Sequence, residues 1–239
     1  MNNKYIRHFI AHVICGMIPG QATRRRVRAI LKSNWRECIQ IIENDIGYRP
    51  RNIRRLVGHR GRYLVVTVDD KYVYKFPIRN RNYCEMCMRE KKITDAWRYV
   101  SLLHIPQMNV INHICTYVRR YEFIRGAQMP DVSPNEIREH IDVLAPQIAQ
   151  FIYDIAASNP GQIASMRDIT AEPGFMRGWF HNDICDNFIF DRRTYKIIAI
   201  IDWEDARFMD FSKYFDIPRD APANELMTAV RREYIRIFG

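Results

Sequence analysis

Two short hydrophobic segments, Phe188–Phe190 and Ile197–Ile201, flank the polar stretch Asp191–Tyr195, a pattern that predicts a tight hairpin. Asp183, Asp186 and Asn187 stand just before the first segment, and Asp202, Glu204 and Asp205 follow the second. In an antiparallel hairpin the start of one strand lies beside the end of the other, so these groups converge at one end. Carboxylates gathered at strand ends are what a metal–phosphate site requires. One must position an acceptor hydroxyl, and others must hold a divalent cation against phosphate oxygens. Asp and Asn are also ordinary turn residues, so these positions alone do not separate the two readings.

The order of elements around the hairpin narrows the fold. Helical spacing over residues 4–18, about 23–33 and about 34–46 predicts three N-terminal helices, the third presenting Trp35, Ile39, Ile42 and Ile46. Ile53–Val57, Tyr63–Val68 and Tyr72–Phe76 read as three strands joined by tight turns. A helix over about 82–100, strands over 110–117 and 118–124, and a long helix over 134–158 opened by Ser133 and Pro134 follow. Strands gathered around one helix, then helices around one hairpin, predict a two-lobed α+β fold with a cleft between lobes. The expected division is a basic helical extension over 1–49, a first lobe over 50–126 and a second over 127–239.

Composition and charge exclude several classes. The 239 residues include only 10 Gly and 11 Pro, with 47% hydrophobic residues, so a fibrous or disordered chain is excluded. The apolar runs are too short to span a bilayer. The net charge of +10 is uneven. Lys4, Arg7, Arg24, Arg25, Arg26, Arg28, Lys32 and Arg36 precede the first acid, Glu37, so the rest of the chain is near neutral. A nucleic-acid binder spreads charge over a folded face, and this chain carries it on an arm. His12 interrupts the apolar run 9–18 and Arg24–Arg26 follow it, which argues against a secretion signal. The six cysteines, with Cys84 and Cys87 the single close pair, read as reduced structural thiols in a cytoplasmic protein. In residues 4–18 Tyr5, Ile6, Phe9, Ile10, Val13, Ile14, Met17 and Ile18 form one apolar stripe, with Lys4, Arg7, His8 and His12 opposite. Such a stripe packs on the protein's own core, on another copy, or on the inner face of an anionic membrane.

The stretch from His181-Asn182-Asp183 to Asn187, followed by Ile201-Asp202-Trp203-Glu204, resembles the protein-kinase-like fold, specifically the aminoglycoside phosphotransferase/choline kinase branch. The resemblance covers about residues 50–218. It implies ATP and Mg2+ as cofactors and transfer of the γ-phosphate to a hydroxyl. Asp183 resembles the catalytic Asp, and Asp202 the main Mg2+ ligand. Lys75, on an apolar strand, would hold the α- and β-phosphates, and Glu90 on the next helix would orient it, with Glu85 the weaker candidate. Glu122 and Ile124 lie in Tyr121–Gly126, which resembles the hinge strand that meets the adenine ring. His181 resembles the loop His that braces the catalytic segment, and Asp210 and Asp216 the structural acids after the metal motif.

Departures from the family pattern matter. Asn187 comes one residue early for the family's second metal ligand, so either Asn187 reaches the metal through a tighter turn or Asp186 replaces it. The spacing Gly58-x-x-Gly61 is too sparse for a protein-kinase phosphate loop and suits the small-molecule branch. The stretch after Asp202 is shorter than in aminoglycoside kinases and closer to kinases of lipopolysaccharide core sugars. The resemblance implies a small-molecule or envelope-glycan acceptor: an amino alcohol, an aminoglycoside-like molecule or a lipopolysaccharide sugar. The alternative is a pseudokinase or scaffold that keeps the fold without turnover.

Overall fold

The structure is a computed structural model of the whole chain. It describes residues 9–10, 13–18, 20, 23–24, 27, 31, 34–57, 63–78, 83–101, 103–113, 116–158, 160–166 and 174–239. Most of the first two expected helices, and the turn at 58–61, lie outside the described residues. Two compact units emerge, one of residues 1–88 and 108–123, the other of 89–107 and 124–239.

Among the described residues, the core of the first unit is a five-stranded antiparallel sheet with a helix packed against it. Its strands are β1 (Ile53–Val57), β2 (Tyr63–Val68), β3 (Tyr72–Pro77), β4 (Asn109–His113) and β5 (Thr116–Glu122), in the order β1-β2-β3-β5-β4. The two-residue alternation sends Leu64, Val66, Val68, Tyr74, Phe76 and Val118 to one face. There they pack with Cys38, Ile41 and Ile42 of helix α1 (Trp35–Ile46). Ile39, expected on the buried face of that helix, is half-buried, because Cys38 and Ile42 carry the stripe four residues apart. Gly47 ends α1 at φ 76°, a left-handed conformation that glycine adopts at no steric cost. Tyr74 Oη and Arg120 both donate to Asp45 Oδ2, at 2.6 and 2.8 Å, tying β3 and β5 to the end of α1.

Helix α2 (Tyr83–Trp97) is shared between the units: Cys87 joins the apolar cluster of Tyr121 and Met108 in the first, and Ile93 and Trp97 join the core of the second. That second core is built around helices α4 (Ile141–Ala157) and α5 (Ala223–Phe238) and is dense in aromatics. Trp97 meets Trp179 edge-on at 5.0 Å between ring centres and lies 5.4 Å from Trp203. Rings of this size bury roughly 150–250 Å2 each, so this cluster anchors the unit.

The single helix expected over 134–158 is two: α3 (Pro134–Glu139) and α4, broken at His140. The His140 Nδ1 pairs with the Glu136 carbonyl at 2.8 Å and its ring stacks on Tyr195 at 3.5 Å, which replaces a helical turn with side-chain contacts. Two ladders complete the unit. β6 (Ala127–Gln128), β8 (Phe188–Phe190) and β9 (Ile197–Ile200) form one, in that order. β7 (Arg177–Phe180) and β10 (Arg207–Asp210) form the other, with Trp179 opposite Phe208. Gly178 on β7 lies against α4: a Cβ there would stand 2.8 Å from the Ala156 Cα. Among the described residues Cys15, Cys38, Cys84, Cys87 and Cys185 are free thiols.

Candidate active site

The β8–β9 hairpin sets the geometry. Its register pairs Phe188 with Ile200, and the Ile201 N–H donates to the Asn187 carbonyl at 3.0 Å. Asn187 and Asp202 are thereby brought to the same end of the hairpin. One loop, 181–187, leads from β7 into β8; the other, 201–206, leads from β9 into β10.

His181 joins the two loops. Its Nε2–H donates to the Ile201 carbonyl at 2.9 Å, and its Nδ1 accepts from the Asp183 N–H at 3.4 Å. These contacts fit one neutral tautomer, with the proton on Nε2. The ring is 1% exposed and edge-on to Trp203, so it fixes geometry and does not reach solvent. Further bonds hold the catalytic-type loop from below. Asn187 Nδ2–H donates to the Asp183 carbonyl at 2.6 Å, and the Ile184 N–H donates to Tyr214 Oη at 3.2 Å. Burial raises the pKa of Tyr214 and pushes the neighbouring Cys185 thiol up to about 11, so both groups stay neutral.

The metal-type loop is held from α2. The Trp203 N–H donates to Glu90 Oε1 at 3.3 Å. Arg89 donates to the Ala206 carbonyl at 2.6 Å and to the Glu204 carbonyl at 3.4 Å. Glu90 is fully buried, whereas Glu85, the weaker candidate, is exposed. Arg89 was not among the expected site residues, because in the charged run Arg89–Lys92 it reads as part of a solvated helix face.

Two residues in these loops sit where L-amino acids rarely do. Asn182, just before Asp183, has φ 64°, and Asp202 has φ 64° and ψ 62°. Left-handed backbone at non-glycine residues costs of order 1 kcal/mol or more and persists where surroundings over-determine it, a common feature of functional sites.

The other expected residues fall as follows. Lys75 lies in the first unit on β3, half-buried, its Nζ 5.4 Å from the centre of the Tyr121 ring. Its cross-strand partner is Arg119, a buried guanidinium that donates to Tyr63 Oη at 3.0 Å. Glu122 ends β5 opposite Tyr72, exposed, and Ile124 opens the second unit, half-buried. Gly126 then packs so closely on β8 that a Cβ would stand 2.9 Å from the Phe190 carbonyl. Asp210 accepts from Ser212 N and Oγ, and Asp216 pairs with Arg231 at 2.7 Å. An open depression of about 730 Å3 in the first unit, lined by Tyr48, Arg49, Asn52, Asp69 and Lys71, holds none of these residues.

The donor set suits a hard cation. Asp202 is half-buried, Asn187 is nearly buried with Oδ1 the remaining acceptor of its amide, and Asp186 is exposed on the turn. Among the described residues no three His, Cys, Asp or Glu side chains converge as a metal site. Mg2+ is ordinarily held by one or two carboxylates together with substrate phosphates, so oxygen donors of this kind and number fit it.

Comparison with known proteins bears on the fold. No family model and no curated protein matches the sequence. Solved structures do. The GDP complex of wild-type aminoglycoside 2'-phosphotransferase-IIIa superimposes with a TM-score of 0.68 at 13% identity, over 86% of this chain and 84% of that one. The streptomycin–ATP ternary complex of APH(2")-IIa gives 0.57 at 16% identity, over 83% of each chain. Macrolide 2'-phosphotransferase MphH from Brachybacterium faecium gives 0.57 at 12%, over 82% of each. The chain therefore has the two-lobed, kinase-like α+β fold of the aminoglycoside and macrolide phosphotransferases. Among the described residues no helix is long and apolar enough to cross a membrane.

Proposed function

We propose that the protein is an ATP-dependent phosphotransferase that moves the γ-phosphate to a hydroxyl of a small molecule or an envelope glycan. The observation that carries this reading is the brace between the two loops: His181 ties the backbone of Asp183 to the residue before Asp202, with strained backbone on both sides. Turn residues with no further role need no such brace.

In this reading Asp183 orients the acceptor hydroxyl and takes its proton as the new O–P bond forms and the bond from the γ-phosphorus to the bridging oxygen breaks, releasing ADP. Asp202 and the Oδ1 of Asn187 would hold Mg2+; the exposed Asp186 is the less suitable second ligand. The cation held there would supply positive charge that offsets the charge of the phosphates. Lys75 holds the α- and β-phosphates, and Glu122 and Ile124 offer backbone groups to the adenine ring. Glu90, whose carboxylate receives the Trp203 N–H, links α2 to the metal-type loop, and Arg89 reinforces that link.

Support for a weakly charged acceptor comes from the acids after Asp202. Asp216 and Glu225 are ion-paired with Arg231 and Arg138, which leaves fewer carboxylates for a polycationic aminoglycoside. A hydroxyl of a glycan or amino alcohol fits that balance better. The test is transfer from γ-labelled ATP to a panel of amino alcohols, aminoglycosides and lipopolysaccharide core sugars. Label on a sugar or amino alcohol supports the reading, and label on aminoglycosides alone overturns the acceptor class. ATP binding without transfer to any acceptor favours the pseudokinase.

A further inference from the structure

The N-terminal segment turns its apolar side outward. Residues 9–10 and 13–16 are helical, and the Met17 N–H closes the last turn on the Ile14 carbonyl at 3.1 Å. At 3.6 residues per turn, Phe9, Ile10, Val13, Ile14 and Met17 share one face and Cys15 lies opposite. The exposures are 70, 43, 47, 37 and 74% for those five, and 0% for Cys15. A helix that belonged to the protein's core would show the reverse order. The outward face is five large apolar side chains on one short segment, more than isolated surface residues account for.

The surrounding sequence identifies what covers that face. Eight Lys and Arg occur before the first acid, Glu37. Arg24 folds back on the end of the helical segment, donating from Nε and Nη2 to the Ile18 carbonyl at 3.2 and 3.1 Å. Pairing with a second copy would set two such basic segments against each other, and like charges oppose that contact. An anionic bilayer satisfies both features at once: apolar side chains enter the boundary between headgroups and acyl chains, and cations attract the headgroups.

We propose that residues 9–17 dock this protein peripherally on an anionic lipid surface, through Phe9, Ile10, Val13, Ile14 and Met17, with the basic residues of the first 36 positions supplying the attraction. The proposal does not depend on the phosphotransfer reading, because it concerns a separate segment and a separate measurement.

Co-sedimentation of the full chain with phosphatidylglycerol–phosphatidylcholine vesicles tests it, with phosphatidylcholine vesicles as reference. The intact protein is expected in the pellet with anionic vesicles, less so at high salt, and in the supernatant with the reference. Phe9→Asp/Met17→Asp should lower retention by about tenfold or more, since two large apolar groups no longer leave water. Arg25→Glu/Arg26→Glu, which keeps the apolar face, should also weaken retention, so the test survives if the first variant is unstable. Far-ultraviolet circular dichroism and the thermal unfolding midpoint should be the same in all three proteins. Failure of the intact chain to sediment, equal retention on both vesicle types, or equal retention of both variants overturns the proposal. So does a dimer in solution that Phe9→Asp/Met17→Asp converts to monomer, which would make a second copy the occupant.

Discussion

The β2–β3 turn and the two loops of the candidate site all hold non-glycine residues at positive φ, and they are held in different ways. Asp69 and Asp70 have φ 52° and 50°, in a tight turn between adjacent antiparallel strands, where the strand twist favours such angles. Their side chains bind close by: Asp69 Oδ1 accepts from the N–H groups of Arg51 and Asn52, and Asp70 pairs with Arg54. Asn182 and Asp202 lie in no hairpin turn. Their loops are braced by His181 and by Glu90 and Arg89, the last two more than a hundred residues away along the chain. The first turn is local chemistry that a hairpin demands. The second arrangement is imposed on the backbone by partners distant in sequence, as the proposed site would require.

Substitutions can break this contrast. Asp183→Ala and Asp202→Ala should each reduce phosphate transfer by about a thousandfold or more, a loss of roughly 4 kcal/mol in transition-state stabilisation. Asp69→Ala and Asp70→Ala should leave transfer unchanged, and initial rates with labelled ATP decide this. A sharper form uses glycine. Asp202→Gly should abolish transfer yet raise stability by about 1 kcal/mol in urea unfolding, because the left-handed strain is relieved. Asp70→Gly, which loses an exposed ion pair but relieves left-handed backbone as well, should move stability by less than about 1 kcal/mol and leave transfer intact.

Arg89→Ala should lower kcat by about ten- to a hundredfold with little change in KM for the acceptor, because the carbonyls of Glu204 and Ala206 lose their donor. Arg89→Lys should restore part of that rate, which a merely structural role would not require. The smallest effect is expected at Glu136, whose carboxyl the Arg192 guanidinium, with the Tyr195 hydroxyl, holds down at about 2. A lowered carboxylate contributes stability above its ordinary pKa and loses it as pH falls toward the folded value. Acid titration followed by circular dichroism should show a shallower loss between about pH 4.5 and 2 in Glu136→Gln than in the parent.

Much of the fold was legible in the sequence where periodicity is local. The strands at 53–57, 63–68 and 72–77, helix α1 and the 188–200 hairpin carry their own alternation and turn residues. The break at His140 was not legible, because residues 134–158 keep helical spacing through it and the cause is a contact with Tyr195, 55 positions on. The β7–β10 ladder was missed for the same reason: two four-residue strands pair across some thirty positions with no turn between them. Within the candidate site, Asp183, Asn187 and Asp202 were visible as acids and amides at strand ends. The bonds from Arg89 and Glu90 were hidden, since a charged helix face and a clamp on a distant loop look alike in one dimension. The N-terminal stripe was legible as a stripe, and only its exposure decided which way it points.

In the proposed function Asp202 belongs to a Mg2+–nucleotide site that Asp183 serves without holding the metal. Calorimetric titration of ATP into the parent, Asp183→Ala and Asp202→Ala proteins, with and without Mg2+, tests it most directly. Mg2+ should strengthen ATP binding equally in the parent and Asp183→Ala, and that Mg2+-dependent gain should vanish in Asp202→Ala. If Asp202→Ala binds MgATP as tightly as the parent, the assignment of this loop is contradicted.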